Sequence, residues 1–206
     1  MWDYAGTLSD RVTVVTGGAG GIGSAICEVM SGAGARVVVS YQRSERAARD
    51  LVARMPGGPH LAMQASVTDS ASLARLAAAV DEAYGRCDLL VNCAGTTKFV
   101  PHPDLDGLHD ELIDDILATN VRGPFAAVRA FKPLLLRSPD ALVANISSIA
   151  ARTAMGSNVM YCASKAALRQ HDTVASPRAR AQNPRRIGCA GSGRHHVRPG
   201  PRPELA

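Results

Sequence analysis

The stretch Val12-Thr13-Val14-Val15-Thr16-Gly17-Gly18-Ala19-Gly20-Gly21-Ile22-Gly23 changes character twice within twelve residues. It begins as an apolar, β-branched run, which predicts a short buried strand. It then passes through glycines, where the backbone can turn tightly. From Ile22 onward apolar residues recur at helical spacing, with Ile22, Ile26, Val29 and Met30 on one face and Gly32 and Gly34 as the stop. Strand, glycine loop and helix in that order suit a phosphate group. The glycines let it approach the backbone, and the helix N-terminus offers unpaired N–H groups and partial positive charge. Gly18, Gly20 and Gly23 satisfy GxGxxG, and Gly17, Gly21 and Gly23 satisfy TGxxxGxG after Thr16. A tight turn alone would also use glycines, but the flanking strand and helix favour dinucleotide binding.

Outward from this stretch the chain alternates strand and helix. Strands are predicted at Arg36 to Ser40, Leu61 to Gln64, Asp88 to Asn92 and Ala141 to Ile146. Helices are predicted from Glu45 to Met55, from an N-cap at Thr68-Asp69-Ser70 through Ala83, and from about Asp110 towards Phe131. Repeated β-α units with uniformly apolar strands imply an α/β fold, a Rossmann-like doubly wound parallel sheet with right-handed crossovers.

The end of the second strand is expected to contact an adenosine ribose. A carboxylate there would hold a 2′-hydroxyl and favour NAD. The sequence instead reads Ser40-Tyr41-Gln42-Arg43-Ser44, and Arg43 with Ser44 could hold a 2′-phosphate. NADP is therefore expected over NAD, with NAD possible; the alternative is that Arg43 is only a solvated residue at a helix start.

Tyr161 and Lys165 are four apart, one helical turn on a shared face, and Ser148 lies 13 residues before the tyrosine, just after a strand. The sequence resembles the short-chain dehydrogenase/reductase family in five ordered places. These are Thr16 to Gly23, Asn92-Cys93-Ala94-Gly95, Asn120 within Thr119-Asn120-Val121, Ser147-Ser148, and Tyr161-Cys162-Ala163-Ser164-Lys165. The likeness covers about 80% of the chain, and the subtype most resembled is that of the 3-oxoacyl-acyl-carrier-protein reductases.

That resemblance implies roles. Tyr161 would be the general acid that protonates a carbonyl oxygen as hydride arrives, or the base in reverse. A free phenol titrates near pH 10, about 3 units above neutrality, so it needs a nearby cation. Lys165 would supply the cation and hold the nicotinamide ribose. Ser148 would bond the substrate carbonyl, and Asn120 would anchor a water joining Lys165 to solvent. Asn92, Ala94 and Gly95 would line the cofactor side of the fourth strand, beside Gly17, Gly21, Ile22, Gly23, Tyr41, Arg43 and Ser44. Ser148 as a helix cap and Asn120 as a mid-helix kink are the local alternatives. After the third strand the family often carries an acid for the adenine amino group; here Ser66 and Val67 stand there. Cys93 replaces the second asparagine of the family's NNAG element. Adjacent Asp114 and Asp115 are expected on the surface, and His195-His196 lacks a metal-ligand spacing; no metal site is expected.

Charge divides the chain. Residues 1–168 hold 15 Lys+Arg and 16 Asp+Glu, a net of −1, whereas residues 169–206 hold 8 Arg and 2 acids, a net of +6. The body thus has no electrostatic footprint for nucleic acid; a basic tail that binds it non-specifically is a separate hypothesis. Five cysteines without paired spacing suit reduced thiols, and no leader or apolar membrane span is legible, so a cytoplasmic location and no membrane partner are expected. The expected domains are 1–168, an incomplete nucleotide-binding unit, and 169–206, a disordered tail rich in proline and arginine. The abrupt change after Leu168 is what translation of GC-rich DNA in a wrong frame gives; a natural tail is the alternative. The family's later elements (a sixth strand, a Pro-Gly cofactor loop, a substrate-covering helix pair and a seventh strand) are not recognisable. The expected function is hydride transfer between NADP(H) and a small carbonyl or alcohol. The alternative is an inactive remnant that at most binds nucleotide. Homo-oligomers are typical of the family, but contacts expected from the later elements are absent from this reading.

Overall fold

The computed structural model describes residues 6–171. The expected 169–206 tail beyond His171, including Cys189 and His195-His196, lies outside the described residues. Five strands form one parallel sheet: β1 (Val12–Thr16), β2 (Arg36–Tyr41), β3 (Leu61–Gln64), β4 (Leu89–Asn92) and β5 (Leu142–Asn145), ordered β3-β2-β1-β4-β5. The strand order reverses between β1 and β4. In open α/β sheets that is where a crevice opens at the carboxyl ends of the strands.

Alternation along each strand builds a core on both faces. Val12, Val14, Val38 and Leu90 pack with α3 (Ser70–Tyr84) and α5 (Gly123–Arg137). Val15, Val37, Val39 and Val91 pack with α1 (Gly21–Gly32) and α2 (Glu45–Arg54). The central strands are covered on both faces and read as largely apolar runs, while the edge strands β3 and β5 stay partly exposed. At the opposite end of the sheet from the crevice, Asp88 ties strands together. Its carboxylate accepts from the Val12 backbone N–H at 2.8 Å and from the Ser138 hydroxyl at 2.6 Å, with Arg86 at 3.0 Å and Arg11 at 3.3 Å.

The predicted strands and first helices are present. The helix expected from Asp110 to Phe131 differs: α4 (Asp110–Leu117) runs into a π turn over Ala118–Arg122, and α5 continues to Arg137. Pro124 explains the interruption, because it has no N–H to donate to the carbonyl of Asn120 four residues back. A short helix α6 (Ala150–Thr153) was not anticipated, and α7 (Val159–His171) extends three residues past Leu168. Asp114 and Asp115 are exposed, as expected.

Candidate active site

The glycine loop closes on itself at the mouth of the crevice. Gly17 has φ +65°, and a Cβ there would stand 2.9 Å from the Cα of Ala94. A Cβ on Gly23 would stand 2.2 Å from the carbonyl oxygen of Gly17. Helix α1 starts at Gly21 with no side-chain cap on its first N–H groups, and Ile22 is 64% exposed beside them. Gly21 has open space around its would-be Cβ. This is a cradle for an anion: close-packed beneath, uncapped and open above.

Thr16 joins the loop to the next strand. Its hydroxyl accepts from the N–H groups of Cys93 (3.1 Å) and Ala94 (3.2 Å), and donates to the carbonyl of Val91 (3.3 Å). Asn92 is buried, donates to Asn145 Oδ1 at 2.8 Å, and its own Oδ1 has no hydrogen-bond partner among the described residues. Two adjacent strand ends therefore present an amide pair to the crevice floor.

At the end of β2, Arg43 and Ser44 are exposed, and Ser44 stands as N-cap of α2 without a capping bond from its side chain. The side chain of Tyr41 is buried in the core, whereas Gln42, Arg43 and Ser44 are exposed. Ser66 is half-buried after β3 and its hydroxyl is shared among Thr68 (2.9 Å) and Gln42 (3.3 Å). Val67 is buried against Gly123.

Tyr161 and Lys165 lie one turn apart on α7, the ammonium 5.8 Å from the ring centroid. Lys165 is 6% exposed and donates to the carbonyl of Ile146, just past β5, at 2.8 Å. Burial pushes its ammonium below the ordinary lysine range, with the nearby Cys93 opposing; burial also raises the Cys93 thiol, with Lys165 opposing. A Cβ on Gly95 would come within 3.6 Å of Lys165 Nζ and 3.3 Å of Asn120 Oδ1, so the loop after β4 runs directly over both. Asn120 is fully buried in the π turn. Its carboxamide accepts from the Thr96 N–H (2.8 Å) and donates to the Thr96 carbonyl (2.9 Å) and to Ser164 (3.1 Å). The kink and the site thus coincide in one residue. Ser148 opens the α6 segment, its hydroxyl accepting from the Ala150 N–H at 3.2 Å. Ala150 and the ring of Tyr161 both border Gly156, at 3.0 and 3.3 Å from a Cβ built there.

All the anticipated residues except the side chains of Tyr41 and Val67 therefore line, or lie directly beneath, one face at the carboxyl ends of the strands. Thr16, Asn145 and Asn158 were not anticipated. Asn158 had a legible signal, an asparagine just before a helical run. The cross-strand bonds of Thr16 and Asn145 had none.

The family model described as short chain dehydrogenase matches residues 11–182. The D-threitol dehydrogenase of Mycolicibacterium smegmatis is 36% identical over 165 residues, covering 79% of this chain and 62% of that enzyme. The rhamnolipids biosynthesis 3-oxoacyl-acyl-carrier-protein reductase of Pseudomonas aeruginosa is 35% identical over 169 residues, covering 80% of this chain and 65% of that enzyme. The solved RhlG/NADP active-site complex of Pseudomonas aeruginosa superposes with a TM-score of 0.77 at 33% identity, covering 88% of this chain and 71% of that one. The chain thus spans somewhat under two thirds of the length of these curated relatives. With the glycine cradle, the parallel sheet and the Tyr161–Lys165 pair in place, the match over most of its length establishes that the chain belongs to the short-chain dehydrogenase family.

Proposed function

We propose that the chain is the nucleotide-binding and catalytic portion of an NADP-preferring oxidoreductase that interconverts a small carbonyl compound and its alcohol. The observation that carries this reading is Lys165. A buried ammonium whose hydrogen-bond partner among the described residues is a single backbone carbonyl is costly, and such costs concentrate where chemistry needs them. It sits against the Tyr161 ring on one side and the Gly95 backbone on the other. The uncapped glycine cradle and the unpartnered Asn92 Oδ1 fit a dinucleotide along the same face.

When bound, the nicotinamide supplies or accepts the hydride. Tyr161 gives its hydroxyl proton to the carbonyl oxygen in reduction and takes it back in oxidation. Lys165 places positive charge beside that phenol and stabilises the tyrosinate left behind. Ser148 donates a hydrogen bond to the same carbonyl oxygen. Asn120 acts as a positioning residue: by fixing Thr96 and Ser164 it sets the loop that crosses Lys165 and the turn that carries Tyr161. Arg43 and Ser44 hold the 2′-phosphate. The similar RhlG structure is a complex with NADP, which supports that choice, as does the absence of an acid between Ser40 and Ser44.

On this proposal the body ends and the tail begins at about residue 168, and the enzyme works in a reducing compartment, the cytoplasm. The four described cysteines, all unpaired, support that placement. Titration of NADPH and NADH by fluorescence tests the cofactor assignment. NADPH is expected to bind at least tenfold more tightly, and Arg43→Asp to reverse the order. A parent chain that favours NADH would overturn it.

A further inference from the structure

The relatives leave the substrate open, since their names include a polyol dehydrogenase and a 3-oxoacyl reductase. The distribution of exposed apolar side chains narrows it. Among the described residues the four most exposed large hydrophobics are Phe99 (75%), Met155 (75%), Leu105 (70%) and Ile149 (69%). All four lie on only two segments, the loop after β4 and the segment after β5.

These segments are fastened to each other at the site. Val100 N–H donates to the Ser157 carbonyl at 2.8 Å, and Asn158 donates to the Lys98 carbonyl at 2.7 Å, so both neighbours of Phe99 are tied to the residues leading into α7. The Thr97 and Ser157 hydroxyls are hydrogen-bonded, and His102 Nε2 reaches the Gly156 carbonyl at 3.3 Å. Gly156 borders the Tyr161 ring and is followed by Ser157; Met155 immediately precedes it. Ile149 directly follows Ser148. Ile149 and Met155 thus adjoin Ser148 and the Gly156 that borders the Tyr161 ring, and Phe99 lies in the stretch fastened to residues 157 and 158, with Leu105 further along the same loop.

Isolated exposed apolar residues are ordinary, but the most exposed ones gathered on two segments fastened to each other beside the candidate catalytic residues point to a ligand surface. Polyols would gain little there: each hydroxyl needs a polar partner, and one pressed on a phenyl or thioether surface would lose its water without replacement.

We propose that this rim receives the apolar part of the substrate, so that the site takes ketones or 3-oxoacyl thioesters with an alkyl or aryl chain rather than polyols. This rests on the hydride-transfer reading above. In reduction, the carbonyl carbon gains a C–H bond with hydride from the reduced nicotinamide, which loses one C–H bond as it is oxidised; the C=O π pair moves to oxygen, and that oxygen takes the Tyr161 proton, which solvent replaces; the chain stays unreacted against Phe99, Ile149 and Met155.

The test measures binding to the full chain, with NADPH present, of N-acetylcysteamine thioesters from acetoacetyl to 3-oxodecanoyl, with threitol as the polar probe, by ligand-observed NMR. Affinity is expected to rise about three- to fourfold per methylene while the chain lies on the rim. Phe99→Ser and Met155→Ser, made separately, are each expected to flatten that rise. Both positions are exposed, so the fold should tolerate them, which thermal melting checks. A flat series, or threitol bound as well as the longest thioester, would overturn the substrate class while NADPH binding and Tyr161 dependence stand. Failure of NADPH itself to bind would overturn the hydride-transfer reading and this one together. A rise with length that both serine variants leave unchanged would move the apolar contact elsewhere and overturn the rim.

Discussion

The carboxamide of Asn158 accepts the backbone N–H of Tyr161 at 2.6 Å and donates to the carbonyl of Lys98 at 2.7 Å. One buried side chain thus caps the helix that carries the tyrosine and fastens it to the loop after β4. Asn158→Ala is expected to lower stability by about 1–3 kcal/mol, combining a lost cap with an unpaired carbonyl. Asn158→Asp keeps the cap oxygen but puts a negative charge opposite the Lys98 carbonyl, so it should also destabilise. Asn158→Ser, which restores a cap, should recover part of the loss. Urea unfolding midpoints check this; an alanine variant within about 0.5 kcal/mol of the parent would show that the bond is idle.

Gly21 and Gly23 should separate binding from folding. A Cβ on Gly23 meets the Gly17 carbonyl oxygen at 2.2 Å, so Gly23→Ala must shift the loop and should reduce both melting temperature and NADPH affinity. Gly21 has open space, so Gly21→Ala should leave stability unchanged or raise it by up to about 1 kcal/mol. Placed at the first turn of α1 beside the cradle, its new methyl should still weaken NADPH binding. Equal effects of the two changes on stability would contradict this geometry.

Asp88 makes stability depend on acid. Burial opposes its charge, but the Ser138 and Val12 hydrogen bonds and the Arg86 and Arg11 guanidiniums outweigh burial and hold the carboxyl below its usual range. The folded state therefore binds fewer protons than the unfolded chain near and below pH about 4. Its contribution is complete above the unfolded value and lost as pH falls through the folded one. Asp88→Asn should cost on the order of 3 kcal/mol at neutral pH and flatten the acid limb. An unchanged acid limb would remove Asp88 from the account.

Lys165 gives the same direction of pH dependence at the alkaline end, but as a cost of the charged form rather than a gain. Burial depresses it, so between its folded value and the ordinary lysine value of about 10.4 the unfolded chain binds more protons, and stability rises with pH across that window. Lys165→Met should abolish that rise. Below the window it should leave stability unchanged or improve it by up to about 2 kcal/mol, while removing turnover. A loss of more than about 1 kcal/mol would mean the ammonium holds the fold together rather than serving the reaction.

Much of this was legible in the residues. Every strand from β1 to β5 follows from a short apolar run; for the central β1, β2 and β4 this is because helices cover both faces and little polar alternation is left. The cradle, Asn120, Ser148 and the Tyr161–Lys165 pair followed from spacing and family resemblance. The π turn did not, although its cause, Pro124 four residues after Asn120, is local. Tyr41 looked available at a strand end but packs inward, since the face a strand-end side chain takes depends on α1 and α2 above it. The Thr16 bonds to residues 93 and 94 join positions far apart in the chain, and no periodicity announces them.

The most direct test of the central claim is NADPH oxidation by the 206-residue chain with a ketone panel, side by side with Tyr161→Phe. The account predicts turnover by the parent, a loss of about 10²–10⁴-fold in the variant, and NADPH affinity unchanged by the substitution. Turnover that persists in Tyr161→Phe, or a parent that binds NADPH and reduces nothing, would contradict it.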